Sequence, residues 1–255
     1  MLGHRFKKFT ILSLLSTSSH HFSYSSTKQH PIVVANALNI CLLVGSTRSN
    51  GPPRPILSNR VAKFIEKSLQ YRPPHDHNIS ILNAKDLTLM DKPHFAYSKS
   101  QIPDNMSQMH KILLNSDAYI AITPEYNHSP CPGLLNLMNH FGSSTFSFKP
   151  SGIVSYSAGQ WGGTRAAHSL RPFLSELGCL PVSAMVHIPK AMDVLDEEGN
   201  VMDLEEEERW MKYVDRMMYQ VEFWAQAAKK QREIEDPLNR SPAFVISPSD
   251  RNAPS

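Results

Sequence analysis

A length of 255 residues, 41% hydrophobic and 19% charged, suits one ordinary α/β domain with something extra at each end. The net charge of +3 comes with no clustered basic stripe, which argues against a nucleic-acid binder. Cys41, Cys131 and Cys179 are far apart and form no Cys-x-x-Cys pair, so they support neither a disulfide framework nor a zinc or iron–sulfur site.

In chain order, residues 1–30 are basic and rich in Ser and His, and no Asp or Glu precedes Glu66. That composition marks residues 1–36 as an extension outside the folded domain. It reads either as a transit peptide, which would place the protein in the mitochondrial matrix, or as a disordered cytoplasmic segment. Its apolar stretch FTILSLL is too short to span a bilayer. The folded domain is expected over residues 37–235. It opens with a predicted strand, LNICLLVG (38–45), that empties into GSTR and SNGPPRP before a helix, LSNRVAKFIEKSLQ. A second strand, NISILNA (78–84), precedes the helix MSQMHKILLNS, and a third, AYIAITP (118–124), leads into the loop TPEYNHSPCPG (123–133). The helix PGLLNLMNHF follows, with Pro132 suited to its first turn. A fourth strand, SGIVSYS (151–157), leads into the Gly-rich SYSAGQWGG (155–163) and then the helix GTRAAHSLRPFLSELG. Pro172 predicts a kink in that helix and Gly178 its stop. The fifth strand is LPVSAMVHIP (180–189).

In the last helix, Trp210, Met211, Val214, Met217, Met218, Val221 and Trp224 repeat at helical spacing, a stripe read as core packing against the sheet. Acids open this helix and lysines close it, in keeping with the helix dipole. The Pro- and Ser-punctuated residues 236–255 read as a disordered tail.

Four of the five strands are near-continuous apolar runs, the mark of parallel strands covered on both faces. Alternation with helices makes a doubly wound sandwich, whose sites lie at the carboxyl ends of the strands. Three such loops carry unusual chemistry. After the first strand, Ser46 and Thr47 bring hydroxyls and Arg48 a fixed positive fork, ahead of a helix N-terminus; this suits a phosphate. The loop is neither a Walker A motif nor a three-glycine dinucleotide fingerprint. After the third, prolines stiffen a turn that bears Tyr126, where a planar ligand could lie, and the amide of Asn127. After the fourth, Gly159, Gly162 and Gly163 would let backbone approach a ligand, with the Ser157 hydroxyl beside them.

Taken in order, GSTR, then TPEYN with PG.L.N, then SYSAGQWGGTRAAHSLRPFLSELG, resemble the NAD(P)H-dependent FMN reductases across residues 38–190. That flavodoxin-like family includes FMN-containing quinone, azo-dye and chromate reductases. The resemblance implies a five-stranded parallel sheet ordered 2-1-3-4-5, one FMN per subunit, and homodimers or homotetramers with the flavin near the interface. It would place Ser46, Thr47 and Arg48 around the FMN phosphate. Pro124, Glu125, Tyr126 and Asn127 would lie along the isoalloxazine, and Ser157, Gly159, Gly162 and Gly163 on its other flank. The chain departs from the family pattern at SNGPP, which intervenes before the next basic residue and leaves Arg54 and Ile56 as phosphate or ribityl contacts.

The implied activity passes hydride from NADPH or NADH through bound FMN to a quinone, flavin or similar acceptor. The chemistry belongs to the cofactor, so no side chain is assigned a catalytic role and no metal is expected. His128 and Cys131 read as a loop histidine and a structural thiol rather than as catalytic groups. Two alternatives use the same loops: a flavin-binding electron carrier or redox sensor without NAD(P)H turnover, and an apoprotein that reduces exchangeable FMN. A pure carrier usually presents an acidic docking face, and this chain is slightly basic.

Overall fold

The computed structural model describes residues 37–51, 56–70 and 76–240. The extension over residues 1–36, Arg54, and the part of the tail from residue 241 onward lie outside the described residues. The strands in chain order are β1 (Asn39–Val44), β2 (Asn78–Asn83), β3 (Ala118–Tyr126), β4 (Ser129–Pro130), β5 (Pro150–Tyr156), β6 (Leu180–Pro181) and β7 (Val186–Ile188). The helices are α1 (Leu57–Gln70), α2 (Asp104–Asn115), α3 (Pro132–Asn139), α4 (Ser143–Phe146), α5 (Thr164–Glu176), α6 (Ala191–Val194), α7 (Glu207–Ile234) and α8 (Pro237–Arg240). The parallel strands run β2-β1-β3-β5-β6, with β7 also paired to β5. When β4 is set aside as a hairpin stub and β6 and β7 share the fifth place, this is the predicted order.

Alternation along each strand sorts its side chains into two cores. Ile40, Leu42, Val44, Ile120, Ile122 and Val154 face α1 and α7. Cys41, Leu43, Tyr119, Ala121 and Ile153 face α2, α3 and α5. Helices on both sides remove the faces of β1, β3 and β5 from water, which is why these strands read as near-continuous apolar runs, whereas the edge strand β2 keeps exposed positions such as Ile81.

The structure revises three of the expected elements. The fifth strand is two short pieces. Between them Arg171 donates to the carbonyls of Pro181 and Val182, and the Gln220 side chain accepts from the Ala184 amide, so side chains replace the missing ladder bonds. The third strand runs beyond Pro124 through Tyr126 and turns back on itself. In α7, Val214, Met217, Met218 and Val221 are buried as expected, but Trp224 is 45% exposed. Glu222 faces inward instead, its carboxylate 3.1 Å from Nε2 of His77. α5 runs through Pro172 to Glu176, and Gly178 just beyond it takes a left-handed conformation, the expected stop. The Gly178 amide donates to the Ser175 carbonyl and the Cys179 amide to that of Leu174, which gives orphaned helix carbonyls donors at the C-terminus.

Two packing features matter for the site. The turn after α6 grips α1: Arg60 Nη1 donates to the Leu195 carbonyl at 3.0 Å, and Lys63 and Lys67 reach Glu198 and Asn200. Gly199 lies so near that a Cβ there would stand 2.7 Å from both the Arg60 carbonyl oxygen and the Phe64 nitrogen. On the opposite face, a short 3-10 turn, His94–Ala96, is held against α2 by the rings of His94 and His110, 3.8 Å apart between centroids. His110 also stacks on Phe141 and lies 3.2 Å from the Thr145 hydroxyl.

Candidate functional site

At the carboxyl end of the sheet, a cleft of about 180 Å³ is lined by Ser46, Arg48, Ile56, Leu57, Ser58, Pro124, Glu125, Tyr126, Tyr156, Ser157 and Ala158. The ends of β1, β3 and β5 therefore converge on one space, as the doubly wound topology requires. Seven of the residues expected from the sequence meet there: Ser46, Arg48, Ile56, Pro124, Glu125, Tyr126 and Ser157.

The loop between β1 and α1 is held from below. Gly45 presses on the start of α3, where a Cβ would come 2.5 Å from Leu134 Cβ and 2.9 Å from Cys131 Sγ. Gly133 is the reciprocal partner; a Cβ there would collide with the Gly45 carbonyl oxygen and stand 2.6 Å from Thr47 Cγ2. Thr47 thus packs toward α3 and does not line the cleft. The Ser46 oxygen accepts from the Arg48 amide at 3.3 Å and shapes the turn. The first turn of α1 carries no acidic residue, so its partial positive charge faces the cleft unopposed.

Pro124, Glu125 and Tyr126 are strand rather than loop. Tyr126 pairs with Ser129 across a two-residue turn in which Asn127 and His128 both have positive φ, 50° and 64°. These values match the mirror-image turns that suit hairpin twist, and Asn is among the residues that best tolerate them. Asn127 is exposed on that turn and, like Thr47, outside the cleft lining. Glu125 is the main departure in this segment. Its Oε2 accepts from the Arg165 and Ala166 amides at the start of α5, at 3.1 and 3.4 Å, and its Oε1 from Arg165 Nε and Nη2 at 2.8 and 2.6 Å. Burial alone would raise the carboxyl, but these donors outweigh it and hold Glu125 below the usual carboxylate range. The residue ties the edge of β3 to α5 and leaves Tyr126, 37% exposed, at the rim.

The Gly-rich turn is zipped to the segment after β7: the Lys190 amide donates to the Gly159 carbonyl and the Ala191 amide to that of Ser157. The Ser157 hydroxyl donates to the Gly159 carbonyl at 2.9 Å, so it shapes its own turn. Gly159 faces open space, with nothing within 4 Å of a Cβ built there. Gly162 and Gly163 do not line the cleft; the close approach they permit is to the chain's own backbone. A Cβ at Gly162 would stand 2.9 Å from the Pro189 nitrogen, and one at Gly163 3.0 Å from the Tyr156 nitrogen. Below them the Ser155 hydroxyl donates to the Gly162 carbonyl at 2.8 Å and accepts from His187 Nδ1 at 2.7 Å.

Leu57, Ser58, Tyr156 and Ala158 also line the cleft, although sequence reasoning did not select them. Ser58 and Tyr156 were concealed by their elements: one reads as a helix residue, the other as an apolar strand position. The uninterrupted convergence of strand ends could have found Tyr156, since it immediately precedes the selected Ser157. Cys131 is buried at the start of α3, and burial pushes its thiol up, so it is not poised as a thiolate. Among the described residues there is no His, Cys, Asp or Glu cluster fit for a metal ion, and no helix is long and apolar enough to cross a membrane.

The donor set fits a phosphomonoester. Ser46, Ser58 and Tyr156 supply buried hydroxyls, Arg48 a cation, and α1 its N-terminus, while the lining's one carboxylate, Glu125, is already engaged. The fold matches that of the flavoenzyme NAD(P)H:acceptor oxidoreductase FerB from Paracoccus denitrificans, with a TM-score of 0.55, 22% identity, and coverage of 73% of this chain and 98% of that one. It also matches RosB, solved with 8-demethyl-8-formylriboflavin-5'-phosphate, with a TM-score of 0.55, 14% identity, and coverage of 86% and 89%. In sequence, a quinone reductase of Pseudomonas putida is 25% identical over 176 residues, 67% of this chain and 88% of that protein. Residues 38–193, which carry all three strand-end loops, match the family model of the NADPH-dependent FMN reductases, and the chain belongs to that family.

Proposed function

We propose that the cleft seats the phosphate of FMN among Ser46, Arg48, Ser58 and the start of α1, with the flavin ring extending along Pro124–Tyr126. The chain is an FMN-dependent NAD(P)H oxidoreductase by family; the acceptor we infer is a quinone or free flavin. The observation that carries this is the meeting of three strand ends in one cleft lined both by anion donors and by an exposed tyrosine. The P. putida relative, by its name, reduces quinones, and RosB, by its title, binds a riboflavin 5'-phosphate derivative, which supports both halves of the reading.

Bound FMN supplies hydride and electron chemistry. The protein's part is to bind and orient. Arg48 and the α1 terminus neutralise the phosphate, and Glu125 with Arg165 fixes the strand edge that carries Tyr126. The Ser157–Gly159 turn, tied to Lys190 and Ala191, closes the other flank. Glu125 is committed to Arg165 and Cys131 is a buried thiol, so neither is poised as a general base. Residues 37–235 act as one reductase domain, since the sheet packing continues past the family match into α7. Residues 1–36 and 236–255 are extensions to it, and the domain acts as a homodimer or homotetramer.

The purified protein should be yellow, release FMN rather than FAD on heating, and lose its visible absorbance when NADPH is added without oxygen. FAD as the released flavin, or no flavin after reconstitution, overturns the cofactor assignment. Bound FMN that NADPH leaves oxidised would mean an electron carrier instead.

A further inference from the structure

Tyr156 ends β5 with its side chain on the α1 side of the sheet, only 3% exposed, yet it lines the cleft. Ser46 and Ser58, 5% and 3% exposed, line the same space, and their hydroxyls stand beside the Tyr156 phenol. Each hydroxyl carries a single hydrogen and two lone pairs. Three of them around one pocket can trade hydrogens among themselves, or all three can donate inward to a ligand that only accepts. A phosphate dianion is such a ligand. Burial pushes the phenol well above its ordinary value, as do the nearby Cys131 and Tyr126, and the two serine hydroxyls oppose this only in part. Burial thus favours the protonated phenol, the form that can donate.

We propose that Tyr156 is a phosphate-anchoring residue of this protein, its phenol donating to the flavin phosphate from beneath while Arg48 covers it from the loop. The proposal rests on the flavin phosphate lying in this cleft. It adds a contact from the fourth long strand to a site otherwise built from the β1–α1 loop, and makes the binding of FMN over riboflavin depend on a residue far from that loop in sequence.

The test compares FMN with riboflavin, which lacks the phosphate, by fluorescence quenching on the full chain after flavin removal. Tyr156→Phe keeps the ring and its packing. It should weaken FMN binding roughly 10- to 100-fold, the value of a hydrogen bond to a charged group, and leave riboflavin within about twofold of wild type. Retained riboflavin binding also shows that the variant is folded. An equal loss for both flavins would make Tyr156 merely structural and overturn the proposal, as would unchanged FMN binding. Arg48→Ala separates the two levels. If it lowers FMN relative to riboflavin while Tyr156→Phe does not, the phosphate is in the cleft and Tyr156 does not touch it. If neither variant changes the ratio, the phosphate lies elsewhere and both readings fall.

Discussion

Arg48 and Gly133 contribute to the same loop by opposite means, one by what it offers a ligand and the other by what it lacks. Arg48 is exposed on a turn, so its removal should leave the fold intact. Arg48→Ala should cost FMN binding about 1.5–3 kcal/mol for each charge-assisted hydrogen bond lost, measured by flavin titration. An unchanged affinity would mean that the guanidinium points away from the phosphate. Gly133 touches no ligand, but a methyl group there meets the Gly45 carbonyl oxygen and Thr47. Neither backbone nor a β-branched side chain can easily give way. Gly133→Ala should therefore lower stability by about 1–3 kcal/mol, as overpacking does, and weaken flavin binding as well. A melting temperature equal to wild type would mean that the contact relaxes. The sequence made Arg48 visible through its charge, whereas Gly45 and Gly133 act through absent atoms and a contact between residues distant along the chain. Only the folded structure reveals that pair.

Two connections between elements should respond to acid in separate ranges. Glu125 joins β3 to α5, and its carboxyl is held below its ordinary value of 4.5. Its contribution is thus fully present above that value and is lost as pH falls through the lower, folded one. Because the Arg165 side chain is 43% exposed, the ion pair itself is worth on the order of 1 kcal/mol or less. Glu125→Gln should reduce stability at neutral pH and flatten the profile below about 4.5, followed by urea midpoints across pH. His110 joins α2 to the 3-10 turn at His94. Burial above all, with His94 and Lys149 nearby, pushes its imidazole from 6.5 down to about 4. The unfolded chain then takes up a proton there that the folded chain refuses, so stability falls as pH drops from 6.5 toward 4. His110→Gln should make that slope shallower without touching the lower range. A wild-type slope in the variant would remove His110 from the acid response. Element types were legible because apolar runs and helical periods are local signals. The β3–β4 hairpin and the broken fifth strand were not, since they depend on partners such as Arg171 and Gln220 that lie elsewhere in the chain. The inward turn of Glu222 depends in the same way on His77.

At the scale of the whole molecule, the proposed site has the cleft at the carboxyl end of the sheet serve both substrates in turn. If nicotinamide and acceptor take turns at the same flavin face, steady-state lines against quinone at several NADPH concentrations should be parallel. His128→Ala should leave flavin reduction within roughly tenfold, less than a positioned acid or base contributes. Intersecting lines would require a second binding surface. The doubly wound architecture and the meeting of the strand-end loops in one cleft were readable from the sequence because topology puts strand ends together whatever the side chains are. The direction each side chain takes was not, which is why Thr47, Gly162 and Gly163 pack against the chain itself while Ser58 and Tyr156 reach the cleft. The two attachments of the β1–α1 loop have a bearing on what changes it tolerates. Gly45 is seated on α3, and α1 is gripped by the turn after α6, so neither end of the loop relies on the residues between for its place. A change in the length of that stretch should then leave Ser46 and Ser58 in place. Tolerance to a change in length belongs to the span between the two attachments, and intolerance to a single added methyl belongs to the glycine pair.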